Sequence, residues 1–218
     1  MLCNKIACLS FLTLVSAAAL SAATAFPDAA VDIPAAPNHT KQTAVLAGGC
    51  FWGMQGLFER VKGVTNVVAG YSGGAKSTAH YEMVSTGRTG HAESIEITFD
   101  PSVITFGQLL KIYFSVAQNP TELNRQGPDV GTQYRSIIFY KNREQKRVAE
   151  AYIKQLDAAH VFGRPIVTQV VPFHAFYRAE GYHQHFLDRH PDNSYIVYND
   201  LPKLRALKKE YPQFCKRK

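Results

Sequence analysis

From Thr43 onward, short apolar runs alternate with longer stretches in which apolar side chains recur every third or fourth residue. Thr43 to Ala47 is an uninterrupted apolar run suited to a buried strand, and Gly48-Gly49 ends it. Phe51, Met54, Leu57, Phe58 and Val61 then follow helical spacing, with Gly63 placed as a C-terminal cap. Asn66 to Tyr71 reads as a second strand, and a glycine- and polar-rich excursion follows to about Gly90. Ile95, Ile97 and Phe99 alternate with Ser94, Glu96 and Thr98, which predicts a half-buried strand beginning just after Glu93 and closed by Asp100-Pro101. Phe106, Leu109, Leu110, Tyr113 and Val116 mark an amphipathic helix, and a long polar loop runs from Gln118 to Thr132. Loops of that length usually carry function. Ser136 to Tyr140 and Ile166 to Val171 are further strands, flanking a helix marked by Val148, Ala151, Tyr152 and Leu156.

The order strand, helix, strand, strand, helix, strand, helix, strand predicts an α+β domain with a ferredoxin-like core, in which helices cover one face of a mixed sheet. There is no internal repeat. Residues 174–218 are rich in Tyr, His and Pro and are expected to wrap the surface as an extended arm, with one short helix around Ala179 to Leu187.

The region before Thr43 has a different grammar. Lys5 precedes an uncharged apolar run from Ile6 to Leu20, and Ala23-Thr24-Ala25 offers small residues for signal peptidase. Residues 1–25 are therefore expected to be a signal peptide cut before Phe26, with an uncleaved anchor as the alternative. A lipoprotein is disfavoured, because Cys3 and Cys8 lie before or at the start of the apolar run. Residues 26–41, with Pro27, Pro34 and Pro37, read as a flexible spacer. The catalytic domain is placed at 42–200 and a basic tail at 201–218. No later run approaches the roughly 18 apolar residues that a membrane span needs, so a soluble monomer without stable membrane association is expected, periplasmic or secreted. Loss of Lys5 takes the net charge from +7 to +6. The cationic residues are scattered apart from the tail, which reads as a solvated face rather than a nucleic-acid site.

Cleavage would leave two cysteines, Cys50 and Cys215. One reading is a structural disulfide. The surroundings of Cys50 offer another. It sits where a strand turns into a helix, and a helix start is expected to lower a thiol's pKa and favour the nucleophilic thiolate. Gly49 and Gly53 permit close approach, and Phe51 with Trp52 present aromatic faces against which an S-methyl group packs well, although either ring could equally be core.

Gly49-Cys50-Phe51-Trp52-Gly53 resembles the signature of the A-type peptide methionine sulfoxide reductases. Further blocks resemble that family in the same order: Gly90-His91-Ala92-Glu93, then Asn124-Arg125-Gln126-Gly127 with Asp129 and Gly131 to Ser136, then Ala179-Glu180 with Tyr182-His183-Gln184. The likeness spans about Thr43 to Asp200. It implies that Cys50 attacks a sulfoxide and that Glu93 supplies a proton to the oxygen. It further implies that Tyr81 and Tyr134 hold that oxygen, that Phe51 and Trp52 receive the methyl group, and that Asp129 orients the loop or a water. The implied reaction reduces the S epimer of methionine sulfoxide, free or in proteins, through a Cys50 sulfenic acid, with no bound cofactor and with thioredoxin or another dithiol as reductant.

Two places depart from the family pattern. Asn119 stands before Pro120 where an acid is expected, with no consequence for the chemistry. Cys215 lies near the C-terminus but without the expected glycines; it is a candidate resolving cysteine, the alternative being direct reduction by an external thiol. His174, His183, His185 and His190 do not follow zinc-site spacing, so no metal is expected. A peroxidase and a disulfide-stapled binding module remain rival readings.

Overall fold

The computed structural model describes residues 26–35 and 40–216, so residues 1–25, expected to be a signal peptide, lie outside the described residues. In chain order the elements are β1 (Gln42–Ala47), α1 (Phe51–Glu59), β2 (Val64–Ser72), α2 (Tyr81–Val84), β3 (Ala92–Phe99), α3 (Phe106–Ile112), β4 (Arg125–Gln126) and β5 (Asp129–Val130). There follow β6 (Ile137–Tyr140), α4 (Arg143–Ala158), β7 (Gln169–Pro172), β8 (Phe176–Arg178), α5 (Phe186–Arg189) and α6 (Leu201–Glu210). Six strands form one sheet in the order β7-β6-β1-β3-β2-β8. Its pairs are antiparallel except β6 with β7. The inner order β6-β1-β3-β2, linked through α1 and α3, is the expected ferredoxin-like core. The crossover through α4 then adds β7 in parallel.

β1 is buried on both faces, which is why its sequence shows no polar alternation. Ala44 and Leu46 join the main core with Phe58, Ile95, Ile97 and Leu109, whereas Val45 and Ala47 join a smaller cluster with Ile137 and Phe139. Ile95, Ile97 and Phe99 of β3 all point into the main core, beneath α1. Side chains alternate along a strand, so Glu93, two residues before Ile95, faces the same way.

The described residues of the expected arm, 174–216, do not form an extended arm. β8 pairs with the β2 edge through Gly70↔Arg178 and Tyr71↔Tyr177, and α6 is a ten-residue helix entered through a π-helical turn, Ile196–Asp200. The short helix expected over Ala179 to Leu187 starts only at Phe186. The upstream side chains bond to backbone elsewhere: Glu180 Oε1 accepts from the Tyr81 N–H, and Gln184 pairs with both the N–H and the C=O of Ala69. Such bonds compete with helix formation.

The spacer expected over 26–41 is also corrected, because residues 26–35 are docked. Asp32 accepts from Thr105 Oγ1 and, at 2.8 Å, from the Gly107 N–H at the start of α3, where the helix end favours an anion. Asp28 pairs with Lys111 at 2.7 Å, Tyr152 donates to the Pro27 carbonyl, and Phe26 packs edge-on against Phe162. These are single-residue anchors with no periodic signature. Asp32→Ala should cost about 1–2 kcal/mol, seen in thermal unfolding as a Tm lower by about 2–8 °C.

Candidate active site

Cys50 is the N-cap of α1. Gly49 before it takes φ +89°, so the chain leaves β1 through a turn that L side chains resist. The two ends of the site are tied together by one bond, from the Phe51 N–H to Glu93 Oε2 at 3.0 Å. That bond carries the carboxyl of β3 to the first turn of α1, beside Cys50.

Both groups are enclosed, with Cys50 9% and Glu93 4% exposed. Burial pushes the Glu93 carboxyl up to about 8 against the opposing Phe51 N–H, so at neutral pH it keeps its proton. Burial also pushes the Cys50 thiol well above its ordinary range; Glu93 and Asp200 add to this, while the Trp52 N–H opposes it. The expected depression of the thiol's pKa at the helix start is therefore overturned: desolvation outweighs the helix end, and the resting side chain is a thiol.

Tyr81, Tyr134, Trp52 and Asp129 lie around this turn, whereas Cys215 does not. The phenols of Tyr81 and Tyr134 are held above their ordinary range first by burial and then by the nearby Glu93 charge, with Cys50 also acting on both. The Tyr134 carbonyl accepts from the Gly49 N–H at 3.2 Å, fastening its loop to the turn. Trp52 stacks on Phe186 with ring centres 3.7 Å apart and donates its Nε1–H to His183 Nδ1 at 3.1 Å. Phe51 is instead fully packed in the core, 5.0 Å from the His183 ring. Asp129 is half-buried and accepts from the Tyr195 hydroxyl.

Cys215 is the exception. It forms an isolated β-bridge with Val61, and the adjacent Lys216 N–H bonds to the Arg60 carbonyl at 2.9 Å. This is the far end of α1, about 14 Å of helix from Cys50, whereas a disulfide needs Cα atoms within about 7 Å. Both cysteines are free.

Several residues of the site escaped sequence reasoning. His183, part of the Tyr182-His183-Gln184 block, orients Trp52, while His185 pairs with Glu59. Among the described residues no three His, Cys, Asp or Glu side chains are grouped to hold a metal, and no helix among them is long and apolar enough to cross a membrane. Tyr195, Asp200 and Lys203 form a wall beside the nucleophile. Asp200 is fully buried and closes on the first turn of α1, where a Cβ on Gly53 would lie 1.9 Å from its Oδ1. Gly53 therefore serves the close approach of this wall. Lys203 pairs with the same carboxyl at 3.2 Å. Hydropathy gave no signal for these, since they lie about 150 residues downstream of Cys50.

The comparisons agree with this geometry. A family model described as peptide methionine sulfoxide reductase matches residues 42–214. The protein named peptide methionine sulfoxide reductase MsrA 2 from Mesorhizobium japonicum is 60% identical over 182 residues, covering 84% of this chain and 92% of that one. Its namesake from Synechocystis sp. is 52% identical over 187 residues, covering 85% and 87%. Among solved structures, Mxr1 from Saccharomyces cerevisiae in reduced form gives a TM-score of 0.64 at 32% identity, covering 72% of this chain and 89% of that one. Methionine sulfoxide reductase A of Corynebacterium diphtheriae gives 0.62 at 32% identity, covering 77% and 83%. A thiol, a protonated carboxyl and an aromatic wall held at one turn thus belong to a chain that is a member of the peptide methionine sulfoxide reductase family, oxidoreductases that return methionine sulfoxide to methionine.

Proposed function

We propose that this chain reduces the S epimer of methionine sulfoxide, free or in oxidised proteins, through a sulfenic acid on Cys50. The observation that carries the mechanism is the buried Glu93 carboxyl, bonded to the turn that bears Cys50 and still protonated at neutral pH. A sulfoxide oxygen is a strong acceptor, so the Glu93 proton and the hydroxyls of Tyr81 and Tyr134 converge on it. Proton transfer leaves positive charge on the substrate sulfur and a carboxylate on Glu93. The carboxylate then takes the Cys50 proton as the cationic sulfur draws the thiolate in, which resolves the conflict between a nucleophile that must ionise and a site that resists ionisation.

A Cys50–substrate S–S bond forms, the hydroxyl passes to the Cys50 sulfur, and that bond breaks to release methionine and Cys50–SOH. Thiol and sulfoxide become sulfenic acid and thioether, so atoms and electrons balance. Epimer choice follows from three fixed points: methyl on the Trp52 face, oxygen at Glu93, and sulfur toward Cys50. The reductant is a thioredoxin-like dithiol. Residues 1–25 direct export to a periplasm or the exterior, where the cleaved chain acts as a soluble monomer.

Cys50→Ser should abolish methionine formation, measured by chromatography with either free or peptide substrate. Glu93→Gln removes the proton but keeps the acceptor for the Phe51 N–H, so the rate should fall by about 10²-fold or more with little change in substrate binding. The acid form of Glu93 persists below about pH 8. Wild-type kcat should therefore fall as pH rises through that value, and the Gln variant should lack this falling limb.

A further inference from the structure

Two hydroxyls and a carboxyl can act together on one sulfoxide oxygen only if the segments that carry them keep a fixed spacing. Tyr81 opens α2, Glu93 lies in β3, and Tyr134 closes a 3₁₀ turn over Thr132–Tyr134. The two tyrosines sit in elements of four and three residues, too short to hold their own place. Bonds from the 132–135 turn supply what is missing. The Thr132 hydroxyl donates to the Gly87 carbonyl, and Gln133 Nε2 donates to the Ser85 carbonyl at 3.1 Å, both just past α2. The Tyr134 carbonyl takes the Gly49 N–H beside Cys50. Arg135 completes the set: Nη1 donates to the Thr132 carbonyl at 2.7 Å and to the His91 carbonyl at 3.1 Å, and Nη2 donates to the Gly90 carbonyl at 2.8 Å. One guanidinium thus joins the turn that ends in Tyr134 to the chain just before β3, two residues short of Glu93.

This cation is unusual among those of the chain. Among the described residues no carboxylate pairs with it, whereas Arg60, Lys111, Lys141, Lys146, Arg147 and Lys203 each have an acid partner. It is half-buried, which opposes its charge, and its Nη donors go to carbonyls alone. A planar fork can bridge carbonyls of two segments in one geometry, and a lysine, a point charge on a flexible stem, cannot. Gly73 leaves the space: at φ +101°, a Cβ there would lie 2.9 Å from the Gly90 carbonyl oxygen and 3.4 Å from Nη2. Resting on the reductase reading above, we propose that Arg135 is a positioning residue, which holds the Tyr134 hydroxyl and the Glu93 carboxyl in one register around the sulfoxide oxygen. It acts through these neighbours and not on substrate. A displacement of about 1 Å in a group that meets the reacting atoms costs about 10²-fold in rate, so a fork that sets this spacing bears on kcat.

The test is a double-mutant cycle in the full chain, with free methionine sulfoxide as substrate and dithiothreitol as reductant. Arg135→Lys should lower kcat by about tenfold or more, while KM stays within about threefold, because the Trp52 face that takes the methyl group is untouched. Tyr134→Phe should lower kcat as well. Arg135→Lys added to Tyr134→Phe should then cost less than about threefold, since the hydroxyl that it positions has already gone. Arg135→Gln, which keeps one amide donor, repeats the cycle with the same expectation. An unchanged kcat in the single Arg135 variants, effects that multiply fully with Tyr134→Phe, or a raised KM at constant kcat overturns the inference and leaves the reductase reading intact. Loss of fold in both Arg135 variants, seen by circular dichroism, makes the residue a fold anchor only and also overturns it. Absence of methionine formation by the wild-type chain overturns both.

Discussion

The hydrogen bond from the Phe51 N–H to Glu93 is the constraint on which the site depends. It joins the first turn of α1 to the first turn's partner strand, β3, and it sets two opposing effects on one carboxyl. The amide N–H favours the anion, whereas enclosure between helix and sheet favours the acid, and enclosure wins, leaving the carboxyl at about 8. A weaker enclosure would leave an ordinary carboxylate with no proton to give. Without the bond, the carboxyl would have no fixed place relative to the sulfur. The same enclosure raises Cys50, so both groups are held neutral at rest.

Among the described residues, three of the four buried side-chain atoms without a hydrogen bond lie near this turn, the fourth being Gln133 Oε1. Gln118 Nε2, His183 Nε2 and Asp200 Oδ2 are buried without a hydrogen bond, and each belongs to a residue that lines a cleft beside Cys50 or packs on α1 or its aromatic wall. Groups of this kind destabilise a fold unless a ligand completes them. Stabilising contacts lie elsewhere: the Thr105–Gln108 capping box of α3, the Asp32 anchor on the same helix end, and the Asp28–Lys111 pair hold the far side of the molecule. Stability and chemistry are thus separated in space.

The sequence made the core legible because its signals are local. β1, α1, β3, α3 and α4 each carry a period of their own, and Cys50 stands out by its glycine-framed turn. The burial of Glu93 is legible too, since it is in phase with Ile95, Ile97 and Phe99, all core. Its proton is not, because that depends on α1 packing above it. Residues 26–35 lacked periodicity since they are held by side-chain bonds to Thr105, Lys111 and Tyr152, some 70 to 125 positions away. The wall of Tyr195 and Asp200 was hidden for the same reason, and the tail was misread because Glu180 and Gln184 spend their side chains on distant backbone rather than on their own helix.

Placing the two thiols at opposite ends of α1 has a mechanical consequence. A resolving cysteine on a tail has to swing into the site, so its segment must detach in every cycle. Here the tail is the bridge to Val61 and the continuation of α6, whose other end forms the wall that rests on Gly53. Pulling Cys215 toward Cys50 would unseat α6 and expose Leu204 and Leu207, which are buried against the core. Exposure of each such side chain would cost about 1.5–3 kcal/mol. The packing of α6 therefore holds Cys215 at the far end of α1 from Cys50.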